Sequence, residues 1–108
     1  MNRKQVIKNY EKEAKKFKKI ILDGKGCFYC RSCGQTKCAC ELTIDHAWKR
    51  SQSLWAIDKP VNFIGMCSMC NRKRETHGTD SLLNADEIRS REEMVKEIYN
   101  NLPLWEQI

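Results

Sequence analysis

Two Cys-x-x-Cys pairs, Cys30/Cys33 and Cys67/Cys70, constrain this chain more than any other feature of its sequence. Each pair can form a tight knuckle that directs two sulfurs at one point. Two knuckles complete the tetrahedral shell of four thiolates typical of structural zinc. With 108 residues the chain buries only a modest core, and domains of this size often depend on a metal for stability. The spacing therefore predicts a structural Zn²⁺ site at Cys30, Cys33, Cys67 and Cys70.

Two pairs of cysteines are able to form the first knuckle, because Cys27 lies as far before Cys30 as Cys33 lies after it. We prefer Cys33, since the glycine that follows it, Gly34, eases the backbone through the knuckle turn. Cys27 remains the alternative ligand at this stage.

The chain has seven cysteines, and this odd number argues against a fully paired set of disulfides. Disulfides are also rare in the reducing cytosol, where we expect the protein to reside. The cysteines outside the two preferred pairs are therefore expected to be thiols. Cys38 and Cys40 are of this kind, although either offers a substitute zinc ligand.

Hydrophobic periodicity predicts helices and strands around the cysteines. Apolar residues recur at three- and four-residue steps over residues 3–22 and over residues 85–101, which predicts two amphipathic helices. Alternation predicts a strand over residues 42–46, and an apolar run predicts a second strand over residues 61–66. A short helix is expected to begin at about Cys67.

These elements predict an α+β fold in a single domain over residues 1–108. Residues 1–26 are expected to form a basic amphipathic helix, residues 27–78 a zinc-stapled core, and residues 79–108 a C-terminal helix and tail. The apolar residues of the tail are expected to pack back onto the domain. They are Leu104, Trp105 and Ile108.

The net charge of +6 is unevenly distributed. Residues 1–26 contain nine Lys and Arg against three acidic residues, and residues 27–77 contain eight against four. Residues 78–108 contain three against seven. The basic N-terminal and central segments are suited to binding a polyanionic partner, and nucleic acid is the commonest such partner. The alternative is a solvated, lysine-rich helix face that only keeps the protein soluble.

The expected compartment is the cytoplasm. No apolar run is long enough to span a bilayer, so no membrane association is expected. Residues 1–19 are polar and rich in lysine, and they lack the apolar stretch of a secretory signal.

Four short segments of the chain contain cysteines and polar residues in a specific order. They are Cys30–Gly34 (Cys-x-x-Cys-Gly), Asp45-His46 after an apolar strand, Asn62–Met66, and Cys67–Asn71 (Cys-x-x-Cys-Asn). In this order and spacing, over residues 27–75, the chain resembles the HNH endonuclease family. The resemblance implies a ββα-metal core, in which a β-hairpin and a helix grip one catalytic metal. It also implies that the four-cysteine zinc site staples the hairpin to the helix.

The resemblance assigns a role to each polar residue. His46 is the general base that activates a water against the scissile phosphate, a task suited to a neutral imidazole near pH 7. Asp45 and Asn71 hold a catalytic Mg²⁺ or Mn²⁺. The side-chain amide of Asn62 ties the loop that holds His46. Taken alone, these residues have ordinary interpretations: a histidine satisfied by hydrogen bonds, a capping aspartate, and an asparagine at the start of a strand.

Asn71 stands where many members of the family have histidine. An amide oxygen still binds Mg²⁺, but the missing imidazole weakens the binding of softer metals. The alternative is that the chain is a non-catalytic member of the family. His77 is an alternative ligand or phosphate contact, although an ordinary surface histidine is the preferred interpretation. Five basic residues flank the site and are expected either to contact phosphates or to form a solvated helix face. They are Lys49, Arg50, Arg72, Lys73 and Arg74.

The leading hypothesis is a metal-dependent DNA endonuclease or nickase that hydrolyses phosphodiester bonds. The alternative is a non-catalytic zinc-ribbon module that binds nucleic acid or a protein. A third hypothesis is a nuclease core retained as a scaffold for a phage or host protein partner. A homodimer is also open, and two copies acting together would turn a nick into a double-strand break.

Overall fold

Helix α1 is the first element of the structure and spans Arg3–Ile21. The computed structural model describes residues 2–107. Asn2 caps the helix, because its side-chain oxygen accepts a hydrogen bond from the backbone N–H of Gln5 at 2.9 Å. The helix predicted over residues 3–22 is confirmed.

Strands β1 (Cys27–Cys30) and β2 (Gln35–Cys38) form a two-stranded antiparallel sheet. The register pairs the first residue of each strand with the last residue of the other. The connecting turn contains Gly34, whose φ of +73° is open mainly to glycine. The sequence did not predict this hairpin.

Strands β3 (Leu42–His46) and β4 (Phe63–Cys67) form a second antiparallel sheet and are paired along their full length. Helix α2 (Ser68–His77) follows β4 without a break. The predicted strand over residues 42–46 is confirmed. The short helix predicted to begin at about Cys67 is confirmed as well. The other predicted strand begins later than expected, because Pro60 opens a 3₁₀ turn before β4.

Helix α3 spans Ala85–Asn100, in agreement with the predicted helix. The tail behaves differently, since Leu104 is 85% exposed and Trp105 is 80% exposed. The expected packing of these two residues onto the domain is wrong. Their 3₁₀ turn is instead closed locally, where the Gln107 side chain donates to the Leu102 carbonyl at 2.9 Å. The remaining tail residue, Ile108, lies outside the described residues.

The fold is therefore α+β, with three α-helices and two small antiparallel sheets within residues 2–107. Helix α1 lies across the β3–β4 sheet at Gly65. A Cβ atom at this position would lie 2.5 Å from Ile21 Cδ1 and 3.5 Å from Phe17 Cε1, so glycine permits the close approach of the helix. Over the described range, no helix is both long and apolar enough to cross a membrane.

The main hydrophobic core cluster joins the two sheets to α3. Phe28 of β1, Met66 of β4 and Ile88 of α3 belong to it. Three of the paired cysteines, Cys30, Cys67 and Cys70, lie in the same cluster. The predicted zinc site is therefore part of the core rather than a surface attachment.

Candidate functional site

The four cysteines of the two Cys-x-x-Cys pairs converge on one point. The sulfurs of Cys30, Cys33, Cys67 and Cys70 all lie within 4.8 Å of one another. Sulfurs of a tetrahedral zinc site, each about 2.3 Å from the metal, are about 3.8 Å apart, so only a small contraction is needed. The site is thus able to hold a structural metal such as zinc, and its donor set fits Zn²⁺.

Different elements form the two knuckles. Cys30 ends β1, and its carbonyl accepts hydrogen bonds from the N–H groups of Cys33 and Gly34 at 3.3 and 2.7 Å. Cys67 ends β4, and Cys70 lies in the first turn of α2. The Cys67 N–H donates to Cys30 Sγ at 3.4 Å and so joins the two knuckles. A metal here would hold together segments that are far apart in the sequence.

The pKa values of two thiols in the cluster shift in opposite directions. Burial alone would raise the pKa of Cys30, but N–H donors led by that of Cys67 bring it below its ordinary value. Burial raises the pKa of Cys70, and a hydrogen bond with Cys67 and the charge of Cys30 raise it further. The pKa of one sulfur is thus lowered while that of another is raised. A divalent cation removes this conflict and binds as the protons leave.

Cys27 lies outside the cluster. It pairs across the β1–β2 sheet with Cys38, and their two sulfurs are 2.9 Å apart. The structure therefore selects Cys33, not Cys27, for the first knuckle. Cys38 and Cys40 are exposed and do not belong to the cluster either.

His46 ends β3 with its imidazole almost completely buried, at 2% exposure. Its Nε2 lies 2.9 Å from the Ile57 carbonyl. Because a carbonyl only accepts, Nε2 carries the proton, and Nδ1 of the neutral ring keeps a lone pair. Burial lowers the pKa of His46, so the ring is neutral near pH 7. The ring packs on Tyr10 and Phe63, with centroids 5.3 and 5.6 Å away.

Asn62 closes the loop between β3 and β4. Its side chain is fully buried, and Oδ1 accepts a hydrogen bond from the Trp48 N–H at 2.7 Å. Its Nδ2 donates to the carbonyls of Trp48 and Ala56 at 3.0 and 3.2 Å. Ala56 immediately precedes Ile57, the residue that binds His46. The amide thereby fixes the part of the loop that orients the imidazole.

Arg74 and Asp45 form a buried ion pair between α2 and β3. Arg74 Nη1 lies 2.9 Å from Asp45 Oδ2, and the two side chains are 3% and 15% exposed. The other guanidinium hydrogen bonds reach the carbonyls of His46 and Ala47 and the hydroxyl of Thr79. The charge of Asp45 is thus neutralised within the protein, and the backbone after β3 is held against α2.

Replacing Arg74 by leucine is expected to destabilise the zinc-loaded protein by about 3–5 kcal/mol, because Asp45 loses its partner while remaining largely buried. The matched control is Arg72→Leu, a substitution on the exposed face of the same helix. This control is expected to change the free energy of unfolding by less than about 0.5 kcal/mol. Urea unfolding measures both, and equal stability of the two variants would contradict the structural role of Arg74.

Asn71 faces β3 from α2. Its Nδ2 donates to Thr43 Oγ1 at 3.1 Å, while the Thr43 hydroxyl donates to the Met66 carbonyl at 2.8 Å. Because the hydroxyl proton is already committed, the NH₂ side of the amide must face Thr43, and Oδ1 points elsewhere. Thr43 and Asp45 are two residues apart and share one face of β3. Asn71 and Asp45 therefore lie on the same side of the sheet.

The oxygens of Asp45 and Asn71 suit a hard cation but do not enclose one. Mg²⁺ commonly binds through one or two carboxylates, with waters and substrate phosphates completing its shell. Arg74 already neutralises Asp45, which lowers the affinity for a second cation. Within residues 2–107, the four-cysteine cluster is the only group of three or more His, Cys, Asp or Glu side chains close enough to hold a metal. Asp45 Oδ1 also accepts a hydrogen bond from the His46 N–H at 2.8 Å, so both carboxylate oxygens already have partners within the protein.

The basic residues expected at phosphates divide into two sets. Four lie at least partly at the surface: Lys49, Arg50, Arg72 and Lys73. The fifth, Arg74, is buried and donates four hydrogen bonds within the protein, so it does not lie where the expected phosphate contact needs it. It lies one helical turn after Cys70 and therefore shares the inward face of that residue. His77 is exposed, and its Nδ1 lies 2.7 Å from the Thr76 hydroxyl.

Tyr10 of α1 is a residue of this site that the sequence did not identify. Its ring packs on His46, and the Arg50 guanidinium lies 5.4 Å from the ring centre. Burial raises the pKa of Tyr10, opposed by the charge of Arg50 and assisted by that of Asp45. The helical pattern placed Tyr10 on the apolar face of α1, but no local signal showed that this face covers His46.

No protein-family model, curated protein sequence or solved structure matches the chain. The chemistry of the site therefore has to be inferred from its own residues.

Proposed function

We propose that the protein is a metal-dependent DNA endonuclease or nickase of the HNH type, which hydrolyses phosphodiester bonds. The order β3, β4, α2 supports the proposal, as does the four-cysteine site that joins this unit to the β1 knuckle. So does the position of Asp45 and His46 at the end of β3, with Asn71 on the facing helix.

The orientation of His46 is the observation on which the proposal chiefly rests. Its Nε2 is bound to the Ile57 carbonyl, within a loop tied by the buried amide of Asn62. This leaves Nδ1 as the atom that accepts a proton from an attacking water.

The other residues would bind and position the substrate. Asp45 and Asn71 would hold Mg²⁺ or Mn²⁺, which when bound supplies positive charge to offset the charge that develops on the phosphate and the leaving oxygen. Exposed side chains such as Arg50, Arg72 and Lys73 would fix the DNA backbone through contacts that read no sequence.

Access to His46 requires a movement of Tyr10. The imidazole is 2% exposed, and the Tyr10 ring lies on it. Arg50 lies over the same tyrosine, with its guanidinium 5.4 Å from the ring centre. In the proposed complex, a phosphate that pairs with Arg50 displaces the Tyr10 side chain and opens a path to Nδ1.

The zinc-loaded protein is expected to nick supercoiled plasmid when Mg²⁺ or Mn²⁺ is added and to leave it intact without added ion. Higher salt should slow nicking, because phosphate contacts are screened. Gel electrophoresis resolves the products. Nicked circles as the first product indicate single copies cutting one strand, and linear DNA from the start indicates a homodimer cutting both. Plasmid that stays supercoiled with either ion contradicts the proposal.

The second candidate is a non-catalytic zinc-ribbon module that binds nucleic acid or a protein. The burial of His46 and the ion pair of Arg74 with Asp45 favour it, because both features give these residues structural roles. This candidate predicts a salt-dependent gel shift of the plasmid with no cleavage. A protein that neither shifts nor cuts DNA would instead point to a phage or host protein as its partner.

A further inference from the structure

Two cysteines outside the zinc site face each other at the open end of the β1–β2 hairpin. Cys27 and Cys38 are register partners, so their side chains lie on the same face of the sheet. Their sulfurs are 2.9 Å apart. Within residues 2–107, this is the only hydrogen-bonded pair of sulfurs outside the zinc cluster.

The backbone at this position brings the two strands close together. The Cys27 N–H donates to the Asp23 carboxylate at 3.0 Å, and the Cys27 carbonyl accepts from the Asp23 N–H at 2.7 Å. Both groups therefore point away from β2, which makes Cys27 and Cys38 a pair without mutual backbone hydrogen bonds. The Cα atoms of such pairs are about 4.5 Å apart. This separation lies within the range that disulfides span.

Accessibility also distinguishes this pair from the zinc cluster. Cys38 is exposed and Cys27 is half-buried, whereas Cys30, Cys67 and Cys70 are buried. A hydrogen bond with Cys38 raises the pKa of Cys27 to about 11, so Cys27 retains its proton. Cys38 is therefore the sulfur placed to react first with a reagent from solvent.

We propose that Cys27 and Cys38 form a reversible disulfide that locks the hairpin carrying the first zinc knuckle. The oxidant is a low-molecular-weight disulfide. Cys38 loses its proton and attacks one sulfur of this disulfide, and the other sulfur leaves as a thiolate that takes up a proton to become a small thiol. A mixed disulfide remains on Cys38. Cys27 then loses its proton and attacks the Cys38 sulfur, which releases the second small thiol. In total, two protein thiols are oxidised and one small disulfide is reduced to two thiols.

The position of the bond in the hairpin determines its consequence. Cys27 and Cys38 close one end of the hairpin, and the zinc knuckle of Cys30 and Cys33 lies at the other end. A covalent link at the open end restricts separation of the strands, and this separation is the motion that would pull the knuckle apart. Oxidation is therefore expected to slow zinc loss to a chelator about tenfold.

The first test uses the full zinc-loaded chain incubated with oxidised glutathione. After denaturation and chelation, the count of free thiols should fall from seven to five, with peptide mapping joining Cys27 to Cys38. Cys27→Ser and Cys38→Ser should form no such bond, and the control Cys40→Ser should form it normally. A count that stays at seven overturns the proposal, as does a bond that maps to Cys40.

The second test compares zinc release from the oxidised and reduced proteins. Slower release after oxidation, reversed by a dithiol, supports the lock. Equal rates would show that the bond does not restrain the knuckle and would overturn that part of the proposal. Zinc content is measured in parallel, because a second zinc ion lost on Cys38→Ser would show that these thiols bind metal instead. The readouts do not depend on DNA cleavage, so they remain valid if the nuclease proposal fails.

Discussion

Chelation of zinc at neutral pH is expected to unfold the protein, because the metal site is part of the core. Cys30, Cys67 and Cys70 belong to the main core cluster, and the sulfurs of all four ligands lie within 4.8 Å of one another. Structural zinc sites contribute on the order of 10 kcal/mol of apparent binding free energy. Small domains have a total stability of only about 5–15 kcal/mol. The metal-free chain is therefore expected to lose its tertiary packing.

The same result is expected from Cys70→Ser, which removes one ligand from the first turn of α2. The matched control is Cys40→Ser, since Cys40 is exposed and lies outside the cluster. Near-ultraviolet circular dichroism and zinc content measure the effect. Cys70→Ser should lose both the dichroism and the zinc, whereas the control should keep both. A metal-free protein with native dichroism would show that zinc is not what holds the core together.

Much of the fold could be predicted from periodicity and cysteine spacing. Helices α1 and α3 are long and amphipathic, so a strong helical period identified both. Strand β3 alternates between apolar and polar residues from Leu42 to Asp45, and helix α2 begins directly after Cys67. The four cysteines preferred as zinc ligands are the four that converge, and the glycine after Cys33 lies in a turn that the structure closes with a positive φ at Gly34.

The β1–β2 hairpin could not be predicted in the same way. Its strands have four residues each, and β2 has no alternation of apolar and polar residues. The pairing is set instead by the turn at Gly34 and by the anchoring of Phe28 in the core, which depends on distant residues. The contact between Cys27 and Cys38 follows from that register, so it was not foreseen either.

The environment of the candidate site was the least predictable part. Its polar residues were identified from their order, but their burial depends on tertiary packing. Helix α1 covers His46 through Tyr10, a contact between residues that are 36 positions apart in the sequence. Arg74 looked like part of a basic surface cluster. The helical spacing does indicate that Arg74 is buried, because a residue four positions after the inward-facing Cys70 lies on the same face of α2.

Replacing His46 by glutamine is expected to reduce cleavage by about 10²–10⁴-fold, the usual contribution of a general base. Glutamine retains a polar side chain of similar length, and its amide is able to donate to the Ile57 carbonyl. It has no atom that accepts a proton near pH 7. Alanine is a poorer choice, since it would leave a cavity beneath Tyr10 and Phe63 and lower stability.

Two controls separate a loss of chemistry from a loss of fold. His77→Gln makes the same substitution at an exposed histidine and should leave the rate unchanged. The His46 variant should keep native near-ultraviolet dichroism, its zinc, and the wild-type dependence of nicking on Mg²⁺ concentration, because His46 is not proposed as a metal ligand. A reduced rate with these properties intact assigns the defect to proton transfer.

The measurement that tests the central claim most directly is the single-turnover rate of plasmid nicking at saturating Mg²⁺. It compares wild-type protein with His46→Gln and His77→Gln, each zinc-loaded and folded. The account predicts a rate at least about 100-fold lower for His46→Gln alone. Nicking by His46→Gln at the wild-type rate would contradict the account and remove His46 from the reaction.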